Sequence, residues 1–220
     1  MKKTDIFDIR KIYESRESAP MGKYRFYSVL VPFVEKDGEL FLLFEKRSKD
    51  LGQNPGEICF PGGMMEPGEA PEESAVRECG EELGIPPEDI GVIGRGDELR
   101  AFAGFTVYTV IAEVPYSAVR NIRISKSEVQ DSFLLPLSYF LENEPEIHMI
   151  PVSADASGFP LEKIGAKGRY NWFKSEYPVP IYDIAIPGGG VLWGMTARMI
   201  DSISGQIRAE AGSEADGKDR

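Results

Sequence analysis

Residues 62–85 read "GGMMEPGEAPEESAVRECGEELGI", a glycine pair and a turn followed by a run with helical punctuation. Pro71 suits a first helical turn, with Glu72 and Glu73 beside the positive end of the dipole. Gly84 supplies a C-terminal stop, and Pro86–Pro87 forbids continuation. The pattern predicts a helix over 70–83. Glu78, Glu81 and Glu82 crowd into five positions of it, in a chain whose formal net charge is already −11. Like charges three and four residues apart destabilise a helix by ~0.2–0.5 kcal/mol per pair. The crowding calls for a reason, and a bound cation is the obvious candidate.

At about 100° per residue, with Glu78 at zero, Glu82 falls near 40° and Glu81 near 300°. Val76, Cys79 and Leu83 fall between roughly 100° and 160°, an apolar stripe for the core. The expectation is a helix anchored on one side with its carboxylates presented on another. Arg77 lies between Glu73 and Glu81 and can pair with either. Hard cations such as Mg²⁺ take oxygen ligands, usually one or two carboxylates with waters and substrate phosphates. Glutamates one helical turn apart offer that; the bland alternative is a solvated acidic face.

Working outward, 24–35 and 39–46 are two β-rich runs around a turn at Lys36–Asp37–Gly38. Residues 48–56, with Gly52, Asn54, Pro55 and Gly56, form a loop. A short strand "EICF" then ends on Pro61–Gly62–Gly63. Beyond the helix, 89–98 and 103–114 read as strands, and "EVQDSFLLPLSYFLEN" as a strand entering a short helix. Strand-like runs follow at 146–153 and 179–186, then a closing helix at 195–206. Residues 4–17 suggest a weakly amphipathic helix. No linker or repeat divides the chain. The reading is one α+β domain over 23–207, with a helical extension (1–22) and an acidic tail (208–220) expected to be disordered for want of apolar anchors.

The 220 residues, 42% hydrophobic and 10% aromatic, suffice for a substantial core. The acidic balance argues against broad binding to nucleic acid or anionic membrane, which takes clustered Lys and Arg. Two cysteines, Cys59 and Cys79, are too few for a disulfide framework and read as small hydrophobes. The start lacks the apolar core of a signal peptide, no stretch reaches a membrane span, and the C-terminal "KDR" is no retention or peroxisomal signal. A cytoplasmic protein is expected. His148, the only histidine, reads as a structural residue.

From Gly63, five residues lead to Glu69 and seven more to Arg77-Glu78, followed by Glu81-Glu82, Gly84 and Ile85. This resembles the Nudix hydrolase signature G-x5-E-x7-R-E-U-x-E-E-x-G-U, U being apolar, at every fixed position. The resemblance implies an α/β/α sandwich with a mixed sheet, and Mg²⁺ or Mn²⁺ held against a small-molecule diphosphate. Carried over by position, Glu78 and Glu82 are the main metal ligands, Glu81 a further or water-mediated one, and the Gly62 carbonyl a backbone ligand. Glu69 and Arg77 are structural, fixing loop against helix. The base that activates water is a helix glutamate, Glu78 or Glu81, or Glu128 in "SKSEVQDSFLLPL"; the helix is favoured.

Upstream, "LFEKRSKDLGQNPGEICFPGG" (43–63) resembles the extra signature of the coenzyme A pyrophosphatase branch, approximately LLTxRS-x3-R-x3-G-x3-FPGG. Leu43, Arg47, Ser48, Gly56 and the run from Phe60 to Gly63 match. "EVQDSFLLPLSYF" and "VPIYDIAIPGGGVLWGMTARMI" look like the same branch. The branch implies hydrolysis of coenzyme A or its acyl derivatives to adenosine 3′,5′-bisphosphate and a phosphopantetheine. Substrate contacts fall to Arg47, Ser48 and Gly63, and the aromatic stretch with Tyr170, Trp172 and Phe173 offers apolar surface for the pantetheine arm. Two positions depart. Gly52 replaces the second arginine, and Glu45 replaces the threonine, adding an acid where an anionic substrate would pass.

Two other readings compete. One is a Nudix hydrolase for a nucleoside triphosphate, a dinucleotide or ADP-ribose, favoured by Gly52. The other is a Nudix fold kept as a ligand-binding module without turnover, disfavoured because every box glutamate is present. The sequence leaves a homodimer open.

Overall fold

The structure, a computed structural model, describes residues 5–155, 157–165, 174–184 and 190–217, with side chains up to residue 213. The helix α1 (Ile6–Tyr13) is capped by Asp5, whose carboxylate accepts from the Phe7 and Asp8 N–H groups, but it buries no residue. Strands β1 (Arg25–Lys36) and β2 (Glu39–Arg47) follow, joined by the two-residue turn Asp37–Gly38 with φ of 54° and 81°. Two positive φ values match the right-handed strand twist, which is why the aspartate–glycine pair closes this hairpin.

After them come β3 (Ile58–Cys59), β4 (Gly62–Met64) and α2 (Pro71–Leu83). Next are β5 (Gly91–Arg95), β6 (Leu99–Ala101), β7 (Phe105–Glu113) and the short α3 (Tyr116–Val119). The chain continues through β8 (Val129–Pro136), α4 (Leu137–Glu142) and β9 (Glu146–Ser153). It closes with β10 (Lys174–Tyr182), β11 (Leu192–Trp193) and α5 (Gly194–Gly217).

The central sheet runs β3-β2-β1-β7-β5, with β4 on β1, β6 on β7 and β8 on β2. β1 and β7 are parallel while the other pairs are antiparallel, so the sheet is mixed. Side chains alternate across β1: Leu30 and Val34 pack with Ala75, Cys79 and Leu83 of α2, whereas Val31 joins Phe44, Phe140 and Ile200 on the opposite face. Helices on both faces make the expected α/β/α sandwich. The second sheet, β11-β10-β9, contributes Tyr182 and Leu192 to that opposite core, so one domain results.

Four expectations are corrected. The strand expected over 89–98 is confined to Gly91–Arg95, and β10 starts at Lys174 rather than near 179. The closing helix does not stop near 206, and the tail expected to be disordered from 208 is helical as far as Gly217. Part of the reason is Arg208, whose guanidinium donates to the Phe140 carbonyl at 2.9 Å and ties α5 to α4. Tyr170, Trp172 and Phe173, suggested for the pantetheine arm, lie outside the described residues. Among the described residues no helix is long and apolar enough to cross a membrane.

Candidate active site

The site is built where β4 meets α2. Ser28 on β1 donates its hydroxyl to the Pro71 carbonyl at 2.7 Å, and the Ala70 N–H donates to Glu73 at 2.9 Å, fixing the start of the helix. Arg95 on β5 holds Glu72 through two contacts of 2.6 and 2.8 Å. At the other end Gly84 adopts φ 66°, and a Cβ there would approach the Arg123 carbonyl to 2.9 Å. The orphan carbonyls of the last turn are taken up by the next loop: Arg123 N–H bonds Leu83 and Ser125 N–H bonds Glu82. That loop leads to Glu128, whose carbonyl accepts from the Ser48 N–H at 2.7 Å. Residues distant in sequence thereby converge on one end of α2.

The helix does not present its carboxylates as a group. Ala75, near 60° on the same wheel, belongs to the covered face with Cys79 and Leu83. Glu82 lies within about 20° of it and is drawn inside, 5% exposed. Val76, expected in the core stripe, is only half-buried. Glu82 Oε2 accepts from the Gly62 N–H at 2.8 Å. Glu78 is half-buried beside Gly63, and Glu81 is exposed. Burial, then the charge of Glu45, raises the Glu82 carboxyl above the ordinary range. Burial also raises Glu78, opposed by Arg77.

Arg77 grips Glu69 at both oxygens (2.8 and 3.1 Å) and reaches Glu78 at 2.8 Å and Glu81 at 3.2 Å. Glu73, the other partner expected for it, is occupied by the Ala70 N–H. The Arg77 hydrogen bonds, with the Glu66 N–H, pull the Glu69 carboxyl down to about 2. This fork ties the 66–69 turn to the helix and orients Glu78.

The two glycines serve different neighbours. A Cβ at Gly62 would strike the Ser28 carbonyl and come within 2.6 Å of Val29 Cα, because β4 presses on β1. At Gly63 it would strike the Glu78 carboxylate. A hollow of about 510 Å³ on the outer side of α2 takes in Arg77 and Glu81 but none of Glu45, Glu78 or Glu82.

Ser48, expected to touch substrate, is buried, and its hydroxyl accepts from the Asp50 N–H; it pins the 48–56 loop. Arg47 keeps its Nε buried without a hydrogen-bond partner. Glu128 is exposed, and its charge raises both Glu45 and Glu78. His148 stands exposed on β9 beside Glu146 at 3.0 Å.

Glu45 was not counted among the site residues from sequence, although its departure from the threonine of the pattern was a signal. It is 1% exposed. Cys59 Sγ donates to its Oε1 at 3.4 Å, while Oε2 is buried without a hydrogen-bond partner. Burial, chiefly, pushes its carboxyl well up. The Cys59 and Cys79 thiols are raised too, again by burial first.

These donors suit a hard divalent cation: carboxylate oxygens, one of them orphaned in the interior, beside a bare glycine backbone. Among the described residues no three His, Cys, Asp or Glu side chains are gathered closely enough to hold an ion by themselves. Waters or substrate oxygens would have to complete the shell, as is usual for Mg²⁺.

A mixed sheet between helices, with glutamates clustered where a glycine pair meets a helix, defines the Nudix class of fold. The NUDIX domain profile matches residues 24–150, more than half of the chain, and the chain belongs to that family. Its members generally use divalent metal ions. Nudix hydrolase 3 of Caenorhabditis elegans is 37% identical over 52% of this chain and 49% of its own length. The peroxisomal coenzyme A diphosphatase NUDT7 of Mus musculus is 32% identical over 56% of this chain and 50% of its own. The chain thus spans about half the length of these two relatives. An uncharacterized Nudix hydrolase, NudL, of Enterobacter sp. is 34% identical over 82% of this chain and 81% of its own length.

Proposed function

We propose that the chain is a metal-dependent diphosphatase that hydrolyses coenzyme A or acyl-coenzyme A, giving adenosine 3′,5′-bisphosphate and a (acyl-)phosphopantetheine. The observation that carries this reading is the pairing of Gly62 with Glu82 and of Gly63 with Glu78, which sets two of the box glutamates against the β4 backbone. The 43–63 match to the coenzyme A branch, and relatives such as the mouse diphosphatase, support the substrate class.

Glu78 and Glu82 would hold the cations, with Glu81 reached through water and the Gly62 carbonyl adding a backbone oxygen. Bound Mg²⁺ or Mn²⁺ supplies positive charge that offsets the diphosphate and lowers the pKa of water. Glu69 and Arg77 keep Glu78 turned towards Gly63. Glu78 takes the proton from the attacking water, with Glu128 the alternative base across the site. The bare backbone at Gly63 leaves room for the Glu78 carboxylate, and Arg47 faces the diphosphate charge while Ser48 holds the loop beneath. The diphosphate bond breaks as water oxygen joins one phosphorus, and the other phosphate leaves with the freed oxygen.

A second reading, hydrolysis of another nucleoside diphosphate derivative, is favoured by Gly52. A Cβ there meets nothing within 4 Å, so the fold would admit the arginine of the branch and does not explain its loss. Comparing kcat/KM for coenzyme A, ADP-ribose, a dinucleotide and a nucleoside triphosphate tests the choice. A preference of ten-fold or more for a substrate other than coenzyme A would displace the first reading.

A further inference from the structure

The proposed function leaves one buried carboxylate unused. On β2, Phe41 and Leu43 pack on the α2 side of the sheet, while Leu42 and Phe44 pack on the other. Glu45, two residues after Leu43, therefore points towards α2, the side from which Glu82 descends. Cys59 and Gly62, three residues apart on the segment between β2 and α2, each hold one of the two carboxylates, which brings Glu45 and Glu82 to the same stretch of backbone. Glu82 has one oxygen on the Gly62 N–H, and Glu45 has one on the Cys59 thiol. Glu45 Oε2 has no hydrogen-bond partner, and no Lys or Arg among the described residues forms an ion pair with Glu45.

A buried acceptor left unpaired is costly, and two neighbouring carboxylates add repulsion. The Arg47 charge offsets part of this repulsion, and a cation bound between the two carboxylates would offset the rest. A hard divalent cation bound by one or two carboxylates fits such a pair. The threonine of the branch pattern at this position offers no charge.

We propose that Glu45 is an additional metal-binding carboxylate, holding a divalent cation jointly with Glu82 from the strand side of the site. This rests on the metal-dependent reading given above and deepens it: the chain carries a ligand on β2 that the glutamate box does not supply. The second cation-facing wall would come from the sheet rather than from the helix.

The test is direct titration of the metal-free full-length chain with Mn²⁺, followed by electron paramagnetic resonance of the free ion, with Tm recorded in parallel. Glu45→Gln keeps the shape of the side chain, and Glu45→Thr installs the residue of the branch pattern, so a folding defect in one leaves the other. Both variants should raise the Kd for Mn²⁺ by about ten-fold or more, the scale of losing one supporting group at a metal site. Both should shrink the rise in Tm that Mn²⁺ produces, and metal-free Glu45→Gln should melt no lower than the parent. If both variants bind Mn²⁺ within about two-fold of the parent while Glu82→Gln loses it, Glu45 is a buried protonated acid and the proposal falls. If the parent itself binds no Mn²⁺, the metal-dependent reading falls, and this one with it.

Discussion

A Cβ placed on Gly63 would lie 2.5 Å from both carboxylate oxygens of Glu78. The glycine is therefore the space in which that carboxylate sits. Only the far end of a flexible side chain is in the way, so Gly63→Ala should fold with nearly the parent's Tm while turning Glu78 aside. A misplacement near 1 Å costs about 10²-fold in rate, and a loss of that order in kcat is the expected result. Gly62→Ala should behave differently, because its Cβ meets the backbone of Ser28 and Val29. Overpacking of this kind costs roughly 1–3 kcal/mol, and thermal unfolding of the two variants side by side checks the contrast.

Metal-free protein should lose stability as pH rises. The Glu45 and Glu82 carboxyls are both raised above their ordinary value of 4.5 in the folded state. A raised carboxyl contributes fully below its unfolded pKa, and that contribution is lost as pH climbs through the folded pKa. In chelator the Tm should fall from about pH 5 upward, and millimolar Mg²⁺ should flatten the fall by binding the ionised pair. A metal-free Tm that does not fall over that range would contradict the burial of the two carboxylates.

The fork between Arg77 and Glu69 works in the opposite sense. The Glu69 carboxyl is lowered from 4.5 to about 2. Its contribution is present above the unfolded pKa and disappears as pH drops towards 2. Arg77→Lys keeps the charge and loses the two-point grip. At pH 7 the substitution should lower Tm by roughly 2–6 °C for a chain of this size and reduce kcat through Glu78. Below pH 3 the Tm difference between variant and parent should narrow. Differential scanning calorimetry at both pH values measures it.

Arg47 keeps its Nε buried with no hydrogen-bond partner, as a residue awaiting an anion would. Arg47→Ala should raise KM for coenzyme A about ten-fold or more, the size of one charge-assisted hydrogen bond. The Mn²⁺ affinity should not fall in step, because Arg47 acts on Glu45 and Glu82 as a positive charge that a cation must share. Equal losses of metal binding and substrate binding would mean that the variant disturbs the whole site.

Much of this was legible because its signals are local. Pro71 and Gly84 mark the ends of α2, Asp37–Gly38 marks the hairpin, and the spacing from Gly63 to Ile85 marks the family. The burial of Glu82 was not legible. A helical wheel gives angles, but β1, β4 and β8 decide which angles are covered, and those contacts are distant in sequence. Glu45 was obscured for a related reason: both faces of β2 are covered, so Leu42 through Glu45 are all buried and no polar alternation marks the acid. The length of α5 was missed because Arg208 binds the Phe140 carbonyl, a contact that tail composition does not foretell.

The most direct test incubates the chain with coenzyme A and Mg²⁺, then Mn²⁺, and resolves the products by chromatography, with Glu82→Gln in parallel. Adenosine 3′,5′-bisphosphate and phosphopantetheine should appear in equal amounts from the parent, and neither from the variant or without metal. Intact coenzyme A under these conditions, or the same products from Glu82→Gln at the parent's rate, would contradict it.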